Sequence, residues 1–258
     1  MTWGLKHWRR RRILRREALA DTLWREACAP IGALRSLSSE AQARLRPLTL
    51  VFLHEKDITP AAGAALTELL RVQIAVQACL PILNLGLDYY DPWSSLIVYP
   101  HEFVPHHQYE DEAGVVHRTR YPVLGEAWLQ GPVVLSAADA VPVDDNDEVN
   151  IVIHECAHKL DMLNGDANGF PPLHRDMNVR RWSETFARAY DELCTAVDAG
   201  ADTVLDPYAA EAPGEFFAVA SEAFFQIPQV LRGAYADVYA QLAQFYRQDP
   251  AGAKAAGS

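Results

Sequence analysis

The sequence predicts an α+β fold: helices first, a small mixed sheet next, then helices again. Three observations carry this prediction. Residues 38–85 hold long apolar runs of helical character, and residues 94–141 turn to Val, Ile, Tyr and Thr punctuated by Gly and Pro. After Asp144 the helical pattern returns and persists to about Tyr246.

The chain has 258 residues, 50% apolar and 22% charged, enough to bury a sizeable core. Its first element is the basic run KHWRRRRILRR, read as a solvated, partly disordered segment (residues 1–20) that becomes the first helix. Such a run could also touch an acidic surface or anionic lipid. Residues 21–248 read as one domain, and the tail AGAKAAGS, within residues 249–258, as disordered. Residues 38–71 read as helix, with LTLVFLHEKDI buried. LTELLRVQIAVQACLPILNL is a second apolar helix, stopped at Pro81 or shortly after. SSLIVYPHEFV, VVHRTRYPVL and GPVVLSAADAV read as strands of one sheet.

The next helix is predicted from Asp145 to Asp161, with Asp145 and Glu148 as a capping box and Val149, Val152, Ile153, Ala157 and Leu160 as its apolar stripe. It contains HECAH. Four residues are slightly more than one helical turn, so His154 and His158 project from one face and can bind one Zn2+. Glu155 lies beside them, placed to take a proton from an activated water and pass it to a leaving amine. The five letters alone also fit an ordinary helix with a Glu155–Lys159 pair, so context decides. Asp161, seven residues after His154, could hold the second nitrogen of a ligand imidazole. The strand before the helix could receive an extended peptide at its edge.

A catalytic zinc needs a third protein ligand. Asp161 and Asn164 exclude the metzincin pattern, which has Gly and His there. Carboxylates remain, in DPYAAEAPGEFFAVASEAFF, where Pro213 can start a helix. Glu215 and Glu222 are two turns apart on an otherwise apolar helix, and burying them requires a cation. Asp166, in the turn LNGDANGFPP, is a weaker candidate. His101, His106 and His107 cluster near acids, but their spacing suits no standard metal set and reads as a loop.

With these segments, and with RVQIAVQACLPILNLGLDYYDPWSSLIVYPHEFV and VLGEAWLQGPVVLS, the chain resembles the Mlc titration factor A metallopeptidases over most of its length. The resemblance implies a zincin-like core, similar to the catalytic domain of anthrax lethal factor. It implies His154, His158 and Glu215 as zinc ligands, Glu155 as the catalytic glutamate, Tyr208 facing the metal and Glu222 supporting a ligand. Cys156 stands where larger apolar residues such as Phe are usual. It reads as a small buried residue, although a thiol beside a catalytic glutamate could be oxidised. The family also binds Mlc, a transcriptional repressor of sugar uptake. A peptide or protein substrate and an Mlc-like repressor are therefore the partners implied, with zinc as cofactor.

A net charge of -11 argues against direct nucleic-acid binding. Four scattered cysteines with no C-x-x-C pair fit a reducing compartment, and no segment reads as a signal peptide or a membrane span. A cytoplasmic protein is the expectation.

Overall fold

A computed structural model of the chain describes residues 2–61, 63–100, 108–110, 116–118, 131–142 and 149–252. Helices α1 (Thr2–Arg16), α2 (Asp21–Cys28) and α3 (Ser39–Glu55) lead into strand β1 (Asp57–Pro60) and helix α4 (Glu68–Cys79). Strands β2 (Ser95–Tyr99), β3 (Gln108–Glu110), β4 (Val116–Arg118) and β5 (Val133–Ser136) follow. The short α5 (Ala137–Ala140) precedes α6 (Ile151–Asp161), α7 (Val179–Asp198), α8 (Pro213–Gln226), α9 (Pro228–Ala234) and α10 (Ala236–Tyr246). The architecture is α+β and mostly helical, with no helix long and apolar enough to cross a membrane among the described residues.

Side-chain caps set several helix starts. Ser38, Thr67 and Asn178 accept hydrogen bonds from the backbone N–H groups of Ala41, Leu70 and Arg181 at 3.0–3.2 Å. Helix α4 closes at Cys79, just before Pro81. The basic run read as partly disordered is helix α1, ion-paired through Lys6 and Arg10 to Glu55, Asp88 and Asp91.

The sheet differs from the one expected. The single helix read over residues 38–71 ends at Glu55, and residues 57–60 form β1, parallel to β2. Lys56 makes the break: its ammonium donates to the carbonyls of Tyr90 and Trp93 and lies 4.2 Å from the centre of the Trp93 ring. Only Ile58 of the strand is buried, so no alternation marks it in the sequence. Among the described residues the sheet order is β1-β2-β5 with both pairings parallel, and β4 pairs with β3 as a separate antiparallel ribbon and not in the one sheet expected. Among the described residues β5 is paired on one side only.

Helix α8 is the centre of the helical part. Its Phe216, Phe217, Val219, Ala220, Phe224 and Phe225 are all buried. Trp182 and Phe186 of α7 stack at 4.2 Å and pack against Phe217, which Phe245 of α10 also meets, while Tyr246 of α10 packs on Phe224. A helix apolar on every face must lie inside the fold. Its two acids are carried in with it, against α6.

Candidate metal centre

Helix α6 begins at Ile151, six residues later than predicted. Asn150 is its cap, accepting from Ile153 N at 3.0 Å, and Val149 is 48% exposed rather than part of the apolar stripe. The proposed box at Asp145 and Glu148 lies outside the described residues. Val152, Ile153, Ala157 and Leu160 do face the core.

His154 and His158 turn towards α8 and meet Glu215. The Nε2 atoms of the two imidazoles are 3.0 Å apart, and Oε2 of Glu215 is 3.1 Å from one and 3.2 Å from the other. The three atoms form a nearly equilateral triangle. The centre of such a triangle is about 1.8 Å from each atom, so one metal ion at the usual zinc distance of about 2.0–2.1 Å could reach all three donors at once. The donor set of two imidazoles and one carboxylate therefore fits a divalent ion such as zinc. The charges agree. Burial opposes a charge on His154, but Glu222 and Glu215 outweigh it and lift its pKa to about 10. Burial likewise opposes ionisation of Glu215, yet hydrogen bonds from His154 and His158 hold its carboxyl far below the usual range. The centre favours positive charge.

Glu222 reaches the same cluster from one face further along α8. Its Oε1 lies 2.6 Å from Nδ1 of His154, and its Oε2 accepts from Asn150 N at 2.5 Å. Asn150 Nδ2 donates in turn to Gln77 of α4, which is tied to Ala140 O. This chain fixes the His154 ring. Asp161 is oriented otherwise than expected. Its Oδ2 accepts from Gly169 N at 2.7 Å, and the bond to a ligand imidazole is not formed: Oδ1 of Asp161 and Nδ1 of His158 are both buried without a hydrogen-bond partner. The carboxylate is drawn instead into the turn after α6, where burial pushes its pKa up to about 6.

Glu155 follows His154 on α6 and is partly exposed beside the cluster. The Tyr208 ring lies 6.3 Å from that of His154, on the short helical turn before α8. Asp166 is exposed and apart from the three donors. Cys156 points into the core, where burial raises its thiol pKa to about 12 and keeps it protonated, against the oxidation considered. His101, His106 and His107 lie outside the described residues.

Two glycines missed in the sequence join the ligand-bearing helices. Gly169 has φ +76°, and a Cβ there would sit 2.6 Å from the Pro213 carbonyl oxygen; a Cβ on Gly214 would sit 2.6 Å from that of Ala167. The turn after α6 thus lies directly on the first turn of α8, which carries Glu215. Trp182 Nε1 clamps it by donating to Gly169 O at 3.0 Å. The turn composition was visible, but its contact with Pro213 had no local signal.

A mostly helical α+β fold with an H-E-x-x-H helix packed on a glutamate-bearing helix has the character of a metallopeptidase. Comparison with known proteins agrees. The profile of the family described as glucose-regulated metallo-peptidase M90 matches residues 5–247, and the chain belongs to that family. Relatives named Mlc titration factor A are 39% identical over 236 residues in Salmonella arizonae (90% of this chain, 92% of the relative) and 37% over 235 residues in Cronobacter sakazakii (90% and 88%). The Escherichia fergusonii relative of the same name is 38% identical over 229 residues (88% and 86%).

Proposed function

We propose that the chain is a zinc-dependent peptidase that hydrolyses peptide bonds in a peptide or protein substrate. The observation that carries this reading is the convergence of His154 Nε2, His158 Nε2 and Glu215 Oε2 to 3.0–3.2 Å, with a glutamate next to the first histidine. These three side chains would hold the Zn2+, which when bound supplies Lewis acidity to a scissile carbonyl and to water. Glu155 takes one proton of the attacking water and passes it to the amide nitrogen as the C–N bond breaks, leaving a carboxylic acid and an amine, between which the second water proton then moves to give a carboxylate and an ammonium. Tyr208 donates its phenolic hydrogen to the oxyanion of the tetrahedral intermediate. Glu222 holds the Nδ1–H of His154, which directs the Nε2 lone pair to the metal. The edge of β5, paired on one side only among the described residues, would offer an extended substrate a strand to pair with.

Glu155→Gln tests this. The change is nearly isosteric and spares all three donors, so one zinc per chain should be retained while peptide turnover falls by at least ~100-fold. Wild-type-like turnover would refute the mechanism.

The relatives' name supports a second reading, in which the chain binds an Mlc-like repressor and the zinc is structural. A structural site needs no general base, and the intact Glu155 therefore favours the enzyme. Calorimetry of wild type and Glu155→Gln against the host's repressor separates the two: equal binding alongside lost cleavage places the repressor away from the catalytic chemistry.

A further inference from the structure

Helix α1 carries charge that the metal centre does not use. Seven of the 23 Lys and Arg residues lie within residues 6–16, with no acid before Glu17, leaving 16 basic residues against 34 acidic ones in the rest of the chain. Positive charge is thus concentrated on one helix of an otherwise acidic molecule.

The helix is held in a set orientation. Lys6 pairs with Asp88 at 3.1 Å and also with Asp91. Arg10 forms a fork on Glu55 at 2.8 and 2.9 Å and reaches Asp88 at 2.7 Å. These two cations are neutralised by the protein's own acids and mark the inward face. At 100° per residue Leu5, Trp8, Arg9, Arg12 and Arg16 form an outward stripe at i, i+3, i+4, i+7 and i+11, centred roughly 120° around the helix from Lys6 and Arg10. All five are exposed, Leu5 by 68%, the largest value among the large apolar side chains described, and Trp8 by 57%. Arg12 lies 5.6 Å from the centre of the Trp8 ring, and none of the three arginines has an ion pair among the described residues.

We infer that this face of α1 binds the surface of an anionic lipid bilayer. The side chains match the two layers of such a surface. Leucine and tryptophan enter the boundary between headgroups and acyl chains, and arginines meet the lipid phosphates. A nucleic-acid backbone satisfies the arginines but offers Leu5 no apolar seat. The acidic remainder of the chain is repelled by the same surface, which confines the contact to α1.

The test is co-sedimentation of the full chain with vesicles of mixed phosphatidylcholine and phosphatidylglycerol, beside vesicles of phosphatidylcholine alone. Binding is expected to the anionic vesicles only, and to weaken as salt rises. Each arginine near an anionic surface is worth about five-fold in partition, so Arg9→Gln/Arg12→Gln/Arg16→Gln together should weaken binding by about 100-fold. Trp8→Ala should weaken it several-fold without changing its salt dependence. The salt series on unaltered protein reads the same contact without any substitution. Equal binding to both vesicle types, no binding to either, or an unaffected triple variant with wild-type thermal unfolding would each overturn the inference. Tighter binding to a double-stranded DNA oligomer, lost in the triple variant, would also overturn it and assign the face to nucleic acid.

Discussion

Replacing Glu222 by Gln probes the support of the metal centre, and the structure sets the size of the effect. The carboxylate accepts from two buried groups, the Asn150 N–H and Nδ1 of His154, at 2.5 and 2.6 Å. Glutamine offers one acceptor oxygen and one NH2. Whichever way its amide turns, one of the two donors faces another donor, and a buried unsatisfied group costs about 1–3 kcal/mol. If the oxygen stays on Asn150, His154 loses the partner that keeps its proton on Nδ1, and the cost falls on metal binding. If it stays on His154, the cost falls on the start of α6. Zinc affinity should therefore drop about 10–100-fold and unfolding free energy by about 1–3 kcal/mol. Glu215→Gln removes a charged donor outright and should weaken zinc by more than ~100-fold. Competition against a chromophoric zinc chelator measures the affinities, and urea unfolding with an unchanged slope measures stability. A larger zinc loss in Glu222→Gln than in Glu215→Gln would show that ligand and support have been exchanged.

Tyr208→Phe should keep its zinc and lose at least ~100-fold in peptide turnover, as removal of an oxyanion donor does; unchanged steady-state kinetics would remove Tyr208 from the chemistry. Gly169→Ala places a Cβ at φ +76° and 2.6 Å from the Pro213 carbonyl oxygen. It should lower stability by about 2–4 kcal/mol and weaken zinc by displacing the first turn of α8, and an unmoved urea midpoint would contradict this. Burial pulls the Lys56 ammonium from 10.5 down to about 8, against the raising effect of Asp91 and Glu55. Between those values the unfolded chain binds the extra proton, so this residue makes stability rise with pH, by roughly 3 kcal/mol in all. Lys56→Met lacks that rise and should fall further behind wild type from pH 8 to 10.5; parallel stability profiles across that window would show that the ammonium is not desolvated as the structure indicates.

The parts of this molecule that were legible in the sequence are those with a local cause. His154 and His158 share a face because of helical pitch alone, and α8 is buried because nearly every side chain on it is apolar. The parts that were not legible depend on partners far away in the chain. Strand β1 exists because residues 95–98 lie alongside it, a pairing that four residues with one buried side chain do not announce. Asp145 and Asn150 are both good capping residues, and Asn150 is the cap observed, in a position that also gives its amide to Gln77, 73 positions earlier. The same distinction explains Asp161. Spacing along α6 offered it as a support of a ligand imidazole, because it lies seven residues after His154 on the same face, whereas Glu222 was expected in such a role only from the resemblance. The acid nearest in space to His154 Nδ1 is Glu222, 68 residues on.

That exchange has a physical reason beyond distance. Asp161 has a competing donor, Gly169 N, in the turn that seats α8, whereas Glu222, on an apolar helix, meets His154 Nδ1 with one oxygen and the Asn150 N–H at the start of α6 with the other. A buried carboxylate is tolerable only where donors or cations meet it, and Glu215 and Glu222 meet the same imidazole from its two nitrogens. The packing of α8 and the assembly of the metal centre are therefore one condition. The phenylalanines force the helix inside, and the helix can lie inside because α6 presents His154 to both of its acids.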